Sequence, residues 1–244
     1  MEAILFIGHG SRLPKASEEA ANFINKCMRN NNANIQEYGF LELSEPTIEE
    51  AFKRCVSRGA KTVKVIPVLL LTAAHAKKDI PEKLAEMKVK FPYVKILYGR
   101  PIGVHPGMVE ILKERINESE KTLAKDSLLL LVGRGSSDPD VKNDLGKIAE
   151  MLERKLESVW VKDCYLTGNG PYFEEELELS KTSSATTIFI IPYLLFTGIL
   201  MNSLGKAINR AARETNKSFI LCNYLGYHPS IQLIMEERLM ELAE

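Results

Sequence analysis

No charge of one sign dominates this chain. Its 244 residues carry 32 Lys and Arg against 32 Asp and Glu, and no block of like charge stands out. That balance excludes the electrostatic footprint expected of a nucleic-acid or anionic-membrane binder. Cysteine is scarce. Cys27, Cys55, Cys164 and Cys222 lie far apart with no CxxC pair, so a disulfide framework is not expected and each is expected to pack as a small hydrophobe. Long apolar runs are lacking as well. The longest, around Val65–Ala74 and Ile188–Ile199, contain Pro67 and Pro192 and are too short to span a bilayer. The start, Met1-Glu2-Ala3, lacks the basic segment of a signal peptide, and a soluble, cytoplasmic protein is expected. Phosphate-binding signatures are missing too. There is no GxxxxGK[ST] loop, and Gly8-His9-Gly10 is not GxGxxG because position 13 is Leu13. Nothing points to a nucleotide.

What the chain does hold is a series of short apolar runs: Ala3–Ile7, Ile35–Leu41, Thr62–Pro67, Val94–Tyr98, Ser127–Val132, Val159–Leu166, Thr187–Pro192 and Ser218–Cys222. Runs of this kind predict buried strands. Between them lie helical patterns, one with Ala20, Ile24, Cys27 and Met28 on a face, another with Leu145, Ile148, Ala149, Leu152 and Leu156. Asp138-Pro139 supplies an N-cap followed by proline at the first helical position. Strands alternating with helices predict an α/β protein with parallel sheets.

The sequence is also duplicated. Ile7-Gly8-His9-Gly10-Ser11 lines up with Val132-Gly133-Arg134-Gly135-Ser136, and Phe40-Leu41-Glu42 with Tyr165-Leu166-Thr167. Ile66-Pro67-Val68-Leu69-Leu70-Leu71-Thr72 lines up with Ile191-Pro192-Tyr193-Leu194-Leu195-Phe196-Thr197. The offset is 125 residues throughout (Gly8 to Gly133, Pro67 to Pro192), and 123 for Gly103-Val104-His105-Pro106 against Gly226-Tyr227-His228-Pro229. The chain is two copies of one unit. The polar stretch Ser119–Lys125 suits a linker, giving lobes at 1–121 and 122–244 with a cleft expected between them.

The repeat acts as an internal control. His105 and His228, Ser11 and Ser136, and Thr72 and Thr197 occur in both copies and fit strand-to-helix junctions and loops. Ser11 and Thr72 keep the capacity to donate to a ligand. Three positions differ: His9 becomes Arg134, Glu42 becomes Thr167 and His75 becomes Leu200. All three lie at or beyond the C-terminal ends of the first three strands, the rim where open α/β sheets bind ligands. Glu45 is a rival carboxylate, since its partner is Gly170; spacing does not separate it from Glu42.

Two imidazoles and a carboxylate suit a borderline divalent metal such as Fe²⁺, Co²⁺, Ni²⁺ or Zn²⁺, with coordination positions left open. Without thiolates, a tight structural zinc site is not expected. Lys77 and Lys78 follow His75, and Arg12 and Lys15 follow His9 beside a helix start. Such a mouth would accept a polycarboxylate ligand. The loop Leu69-Leu70-Leu71-Thr72-Ala73-Ala74 would form a wall for a flat ring.

The GHGS turn, the E-x-x-x-P-T segment (Glu42 to Thr47) and the P-x-L-L-L-T-A-A-H segment (Pro67 to His75) together resemble the class II tetrapyrrole chelatases. The likeness is to the two-lobed sirohydrochlorin ferrochelatases of siroheme synthesis and their cobalt-inserting relatives, and it covers essentially the whole chain. It implies two tandem flavodoxin-like lobes, each a parallel sheet flanked by helices, with the active site in the inter-lobe cleft. It implies ATP-independent insertion of Fe²⁺, or of Co²⁺ or Ni²⁺, into sirohydrochlorin. It places the metal and catalytic groups on His9, Glu42 and His75, and so favours Glu42 over Glu45. Ser11, Arg12, Leu70, Leu71, Thr72, Ala73 and Ala74 are then candidate substrate contacts. The second lobe departs from the pattern at Arg134, Thr167 and Leu200 and is expected to hold no metal, serving as the far wall of the cleft. Arg134 would be placed to meet a substrate carboxylate. A non-enzymatic tetrapyrrole or metal carrier is the alternative from another class. A monomer is expected.

Overall fold

The apolar runs become strands where expected. In the computed structural model, which describes residues 1–157, 159–196, 199–226 and 228–242, Ala3–Ile7 lies within β1 (Glu2–Gly8) and is buried throughout. Then follow α1 (Pro14–Arg29), β2 (Ile35–Phe40), α2 (Ile48–Ser57) and β3 (Thr62–Pro67). A single π-helical turn (His75–Asp79) runs into α3 (Ile80–Lys90), followed by β4 (Lys95–Tyr98) and α4 (Pro106–Asn117). The second copy repeats the order with β5 (Ser127–Gly133), α5 (Pro139–Leu156), β6 (Trp160–Tyr165), α6 (Phe173–Thr182), β7 (Thr187–Tyr193), α7 (Ile199–Glu214), β8 (Ser218–Leu221) and α8 (Pro229–Met240).

Each copy builds a four-stranded parallel sheet, in the orders β2-β1-β3-β4 and β6-β5-β7-β8. Successive side chains of a strand face opposite sides, so a strand covered on both sides must be apolar at every position. In β1, Ala3, Leu5 and Ile7 pack with Ile48, Phe52 and Cys55 of α2 and Ile80, Leu84 and Met87 of α3. In β5, Leu128, Leu130 and Val132 pack with Phe173 and Leu177 of α6 and Leu204, Ile208 and Ala211 of α7. Asp138 caps α5 as expected, its side chain accepting from the Asp140 N–H at 3.1 Å. All four cysteines are buried thiols; burial pushes those of Cys27, Cys55 and Cys222 up to about 12, and that of Cys164 up as well.

The lobes do not divide where the linker suggests. One compact unit is Met1–Gly103 with Pro229–Glu244; the other is Val104–His228. The break expected between 121 and 122 therefore falls inside the second unit. The reason is an exchange of helices. α4 leaves the first copy to pack on α5 and β7, while α8 leaves the second to pack on α1 and β3. Two sheets of the same pattern present equivalent apolar faces, so either terminal helix can cover either sheet. The repeat locates the copies without saying which sheet each helix covers. A duplicated arginine fastens each exchanged helix. Arg115 Nη2–H donates to the Leu225 carbonyl at 2.7 Å. Arg238, at the 123-residue offset, donates from Nη2 to the Ile102 carbonyl at 2.8 Å and from Nε to that of Pro101 at 2.9 Å.

Candidate metal centre

The three residues singled out by the repeat converge. His9 follows β1, Glu42 lies just beyond β2 and His75 opens the π-helical turn after β3. One ligand atom from each lies within 4.8 Å of the others, and this is the one such group of three among the described residues. His9 Nε2 is 3.1 Å from His75 Nε2 and 3.7 Å from Glu42 Oε1. The rings meet edge to face, with centroids 4.6 Å apart.

Backbone pairing brings them there. The parallel ladder continues past the end of the strands: Leu41 N–H donates to the Gly8 carbonyl at 2.9 Å and Glu42 N–H to that of His9 at 3.1 Å. Gly10 makes this possible. Its φ is +93°, and a Cβ there would lie 1.7 Å from the Glu42 carbonyl oxygen. Hydroxyls tie the same two loops together. Ser44 Oγ accepts from the Ser11 N–H at 3.0 Å and lies 2.7 Å from Ser17 Oγ. On the other side, Tyr98 Oη–H donates to the Ala76 carbonyl at 2.9 Å and anchors the turn that carries His75.

Hydrogen bonds orient both imidazoles. His75 Nδ1 is 2.6 Å from Asp79 Oδ2, and His9 Nδ1 is 3.1 Å from the Gly10 carbonyl. A carbonyl or ionised carboxylate only accepts, so each Nδ1 carries the hydrogen and each Nε2 is directed at the other. Two facing acceptor nitrogens need a cation or a proton between them. Metal–nitrogen bonds of about 2.1 Å bridge such a gap from adjacent coordination positions. The carboxylate–histidine pairing at Asp79 is the usual means of fixing a ligand's tautomer. Asp79 escaped the sequence reading, although its counterpart in the second copy is Leu204 and the same repeat comparison that marks His75 would have marked it.

The other candidates fall into four groups. Glu45 stands apart from the metal group: its carboxylate accepts from the Thr47 N–H at 3.1 Å beside the cap of α2, and the neighbouring Glu50 pushes its pKa up. Ser11 serves its turn, its hydroxyl accepting from the Leu13 N–H at 3.1 Å, while Arg12 is exposed beside it. Leu70, Leu71, Thr72 and Ala73 are half-buried and Ala74 is exposed in the loop leading to His75. Ile102 and Gly103 N–H groups hold that loop through the carbonyls of Leu69 and Leu70. His105 caps α4 by accepting from the Gly107 N–H at 3.0 Å, and His228 Nε2 lies 2.6 Å from Glu114.

Comparison with known proteins meets this geometry. The sirohydrochlorin ferrochelatase of Priestia megaterium is 46% identical over 242 residues, covering 99% of this chain and 91% of its own. The sirohydrochlorin cobaltochelatase of the same organism is 39% identical, covering 100% and 81%. The solved structure of SirB from Bacillus subtilis with Fe³⁺ superposes with a TM-score of 0.91 at 41% identity, covering 99% of this chain and 95% of its own. The CbiX family model matches residues 3–119 and again 128–242. A duplicated α/β chain with a paired-histidine centre in its first copy, matched twice over nearly its whole length, belongs to the CbiX family.

Proposed function

We propose that this chain is a sirohydrochlorin ferrochelatase: it inserts Fe²⁺ into sirohydrochlorin without ATP, giving siroheme and two protons. The observation that carries the reading is the His9–Glu42–His75 group, set in a chain 46% identical to a sirohydrochlorin ferrochelatase across its length. Both metal and macrocycle are substrates. Insertion must move the cation from protein ligands to ring nitrogens and remove two pyrrole N–H protons.

His9 and His75 hold the cation through Nε2, with Glu42 as third ligand. Imidazole and carboxylate bind Fe²⁺ without the tight grip of thiolates, so the cation can be released to the ring. As the cation leaves, His9 Nε2 regains a lone pair next to the pyrrole nitrogens and accepts a proton, the role imidazole fills near neutral pH. Glu42, with about half its side chain exposed, relays protons to water. Exposed Lys78, Arg12 and Lys15 favour a ligand with peripheral carboxylates. Cobalt is the second reading, favoured by the 39% identity to a cobaltochelatase; the ligand set accepts either ion. No helix among the described residues is long and apolar enough to cross a membrane. The reading places the enzyme in the cytoplasm, as a monomer, with no nucleic-acid partner.

The test is the absorbance change of anaerobic sirohydrochlorin with Fe²⁺ or Co²⁺. Wild type is expected to turn over many equivalents, and His9→Ala to lose about 10²- to 10⁴-fold in rate. Stoichiometric change without turnover would replace the enzyme by a carrier. Full activity in a folded His9→Ala would remove His9 from the mechanism.

A further inference from the structure

Two leucines on the loops that carry His9 and Glu42 sit where local chemistry disfavours them. Leu43 directly follows Glu42 and has φ +63°, the left-handed region that disfavours a branched side chain. Leu13, four residues after His9, occupies the N-cap of α1 and offers no side-chain cap, where Ser, Asp or Asn would stabilise the helix. The second copy follows the ordinary rules at both places. Position 168 is glycine with φ +80°, and position 138 is an aspartate that caps α5.

The two loops are also tied together differently in the two copies. In the second copy, Asn169 N–H donates directly to the Ser136 carbonyl, and a Cβ on Gly168 would meet that carbonyl oxygen at 2.4 Å. In the first copy the Ser44 hydroxyl stands between the loops, accepting from the Ser11 N–H. Leu43 gains no core in return, being 49% exposed, and Leu13 is 37% exposed. Residues that break local rules without a packing gain mark functional positions. These two are carried by the loops that carry His9 and Glu42.

We infer that Leu13 and Leu43 form an apolar contact for the face of the tetrapyrrole ring and set it over the metal centre. This rests on the chelatase reading above. A macrocycle with carboxylates at its edge has an apolar face, and covering two exposed leucines with it gains binding without touching metal affinity.

The experiment uses the full chain with Leu43→Gly, Leu13→Ser, the double variant and Leu43→Met. Metal-free sirohydrochlorin is titrated by absorbance, Co²⁺ is titrated separately through its d–d bands, and melting temperatures are recorded. Leu43→Gly and Leu13→Ser are each expected to weaken sirohydrochlorin up to about tenfold, raising KM more than lowering kcat. Co²⁺ binding should hold, the melting temperature should hold or rise, and Leu43→Met should keep the affinity. If wild type binds sirohydrochlorin and every variant binds it equally well, the ring contact is wrong and the chelatase reading stands. Variants that lose Co²⁺ binding or melt earlier in step with the loss of sirohydrochlorin would make the leucines scaffold and overturn the inference. A wild type that binds no sirohydrochlorin would overturn the functional reading and the contact together.

Discussion

The two units share a backbone plan and differ in chemistry. Each ends its first strand in a glycine turn with a left-handed residue, Gly10 at +93° and Gly135 at +87°. Each extends its ladder by the same pair of hydrogen bonds: Leu41 and Glu42 to Gly8 and His9, Leu166 and Thr167 to Gly133 and Arg134. The rim geometry is therefore a property of the fold, present whether or not a metal is bound. The copies differ in the side chains placed on that rim: His9, Glu42, His75 and Asp79 in the first against Arg134, Thr167, Leu200 and Leu204 in the second. The lesson is that positioning and reactivity are separable here, and three pairs of variants can test the separation.

The largest effect is expected at the glycine turns. A Cβ at Gly10 would sit 1.7 Å from the Glu42 carbonyl oxygen, and one at Gly135 1.9 Å from that of Thr167. Both alanine variants force the loops apart and should lose stability on the order of 1–3 kcal/mol. Gly10→Ala alone should also abolish stoichiometric Co²⁺ binding and metal insertion, because it pushes Glu42 from His9. Melting curves and Co²⁺ titrations check the pair. Equal loss of Co²⁺ binding in both variants would show that the centre does not belong to the first unit alone.

The exchanged helices offer an effect on stability alone, with the metal centre untouched, that distinguishes the units by burial. Arg238 is 4% exposed, binds two carbonyls and pairs with Glu241 at 2.8 Å. Arg115 binds one carbonyl and pairs with Glu118 at 2.5 Å, with 15% of its side chain exposed. Each charge-assisted bond is worth about 1.5–3 kcal/mol, and stranded buried acceptors add to the loss. Arg238→Ala should therefore destabilise by roughly 3 kcal/mol and Arg115→Ala by roughly half as much, read from denaturant midpoints. The opposite ranking would mean that α4, not α8, is the more firmly held helix.

Much of this molecule was legible in its sequence. The eight strands could be located because a sheet covered on both faces needs continuous apolar runs, and His9 and His75 because the second copy lacks them; Glu42 was separated from Glu45 only by the family resemblance. The helix exchange was not legible. Arg115 and Arg238 recur in both copies, which marks them as structural, but an arginine does not say which copy's carbonyl it binds. Leu13 and Leu43 were hidden for another reason: an exposed leucine is ordinary until its backbone angle or its missing cap is seen. Asp79 was hidden only by its neighbours, standing after Lys77 and Lys78 in a run that looks like a solvated helix start.

Asp79 gives the finest test of how the chemistry of the two copies differs. The pair His75–Asp79 is replaced by Leu200–Leu204 in the second copy, so ligand and orienting carboxylate differ together. Asp79 Oδ2 lies 2.6 Å from His75 Nδ1 and holds the hydrogen there, leaving Nε2 to the metal. Asparagine preserves the shape but presents a neutral acceptor, or its N–H₂ group after a flip, and so both weakens the ligand's basicity and loosens the tautomer. Removing such a partner typically costs 10- to 100-fold in metal affinity or activity. Asp79→Asn should show that loss for Co²⁺ binding and for insertion, with altered d–d bands and an unchanged melting temperature. Asp79→Glu, which keeps the charge, should recover part of it. If Asp79→Asn binds Co²⁺ like wild type, His75 is oriented by its helix alone, and the carboxylate belongs to the surface rather than to the centre.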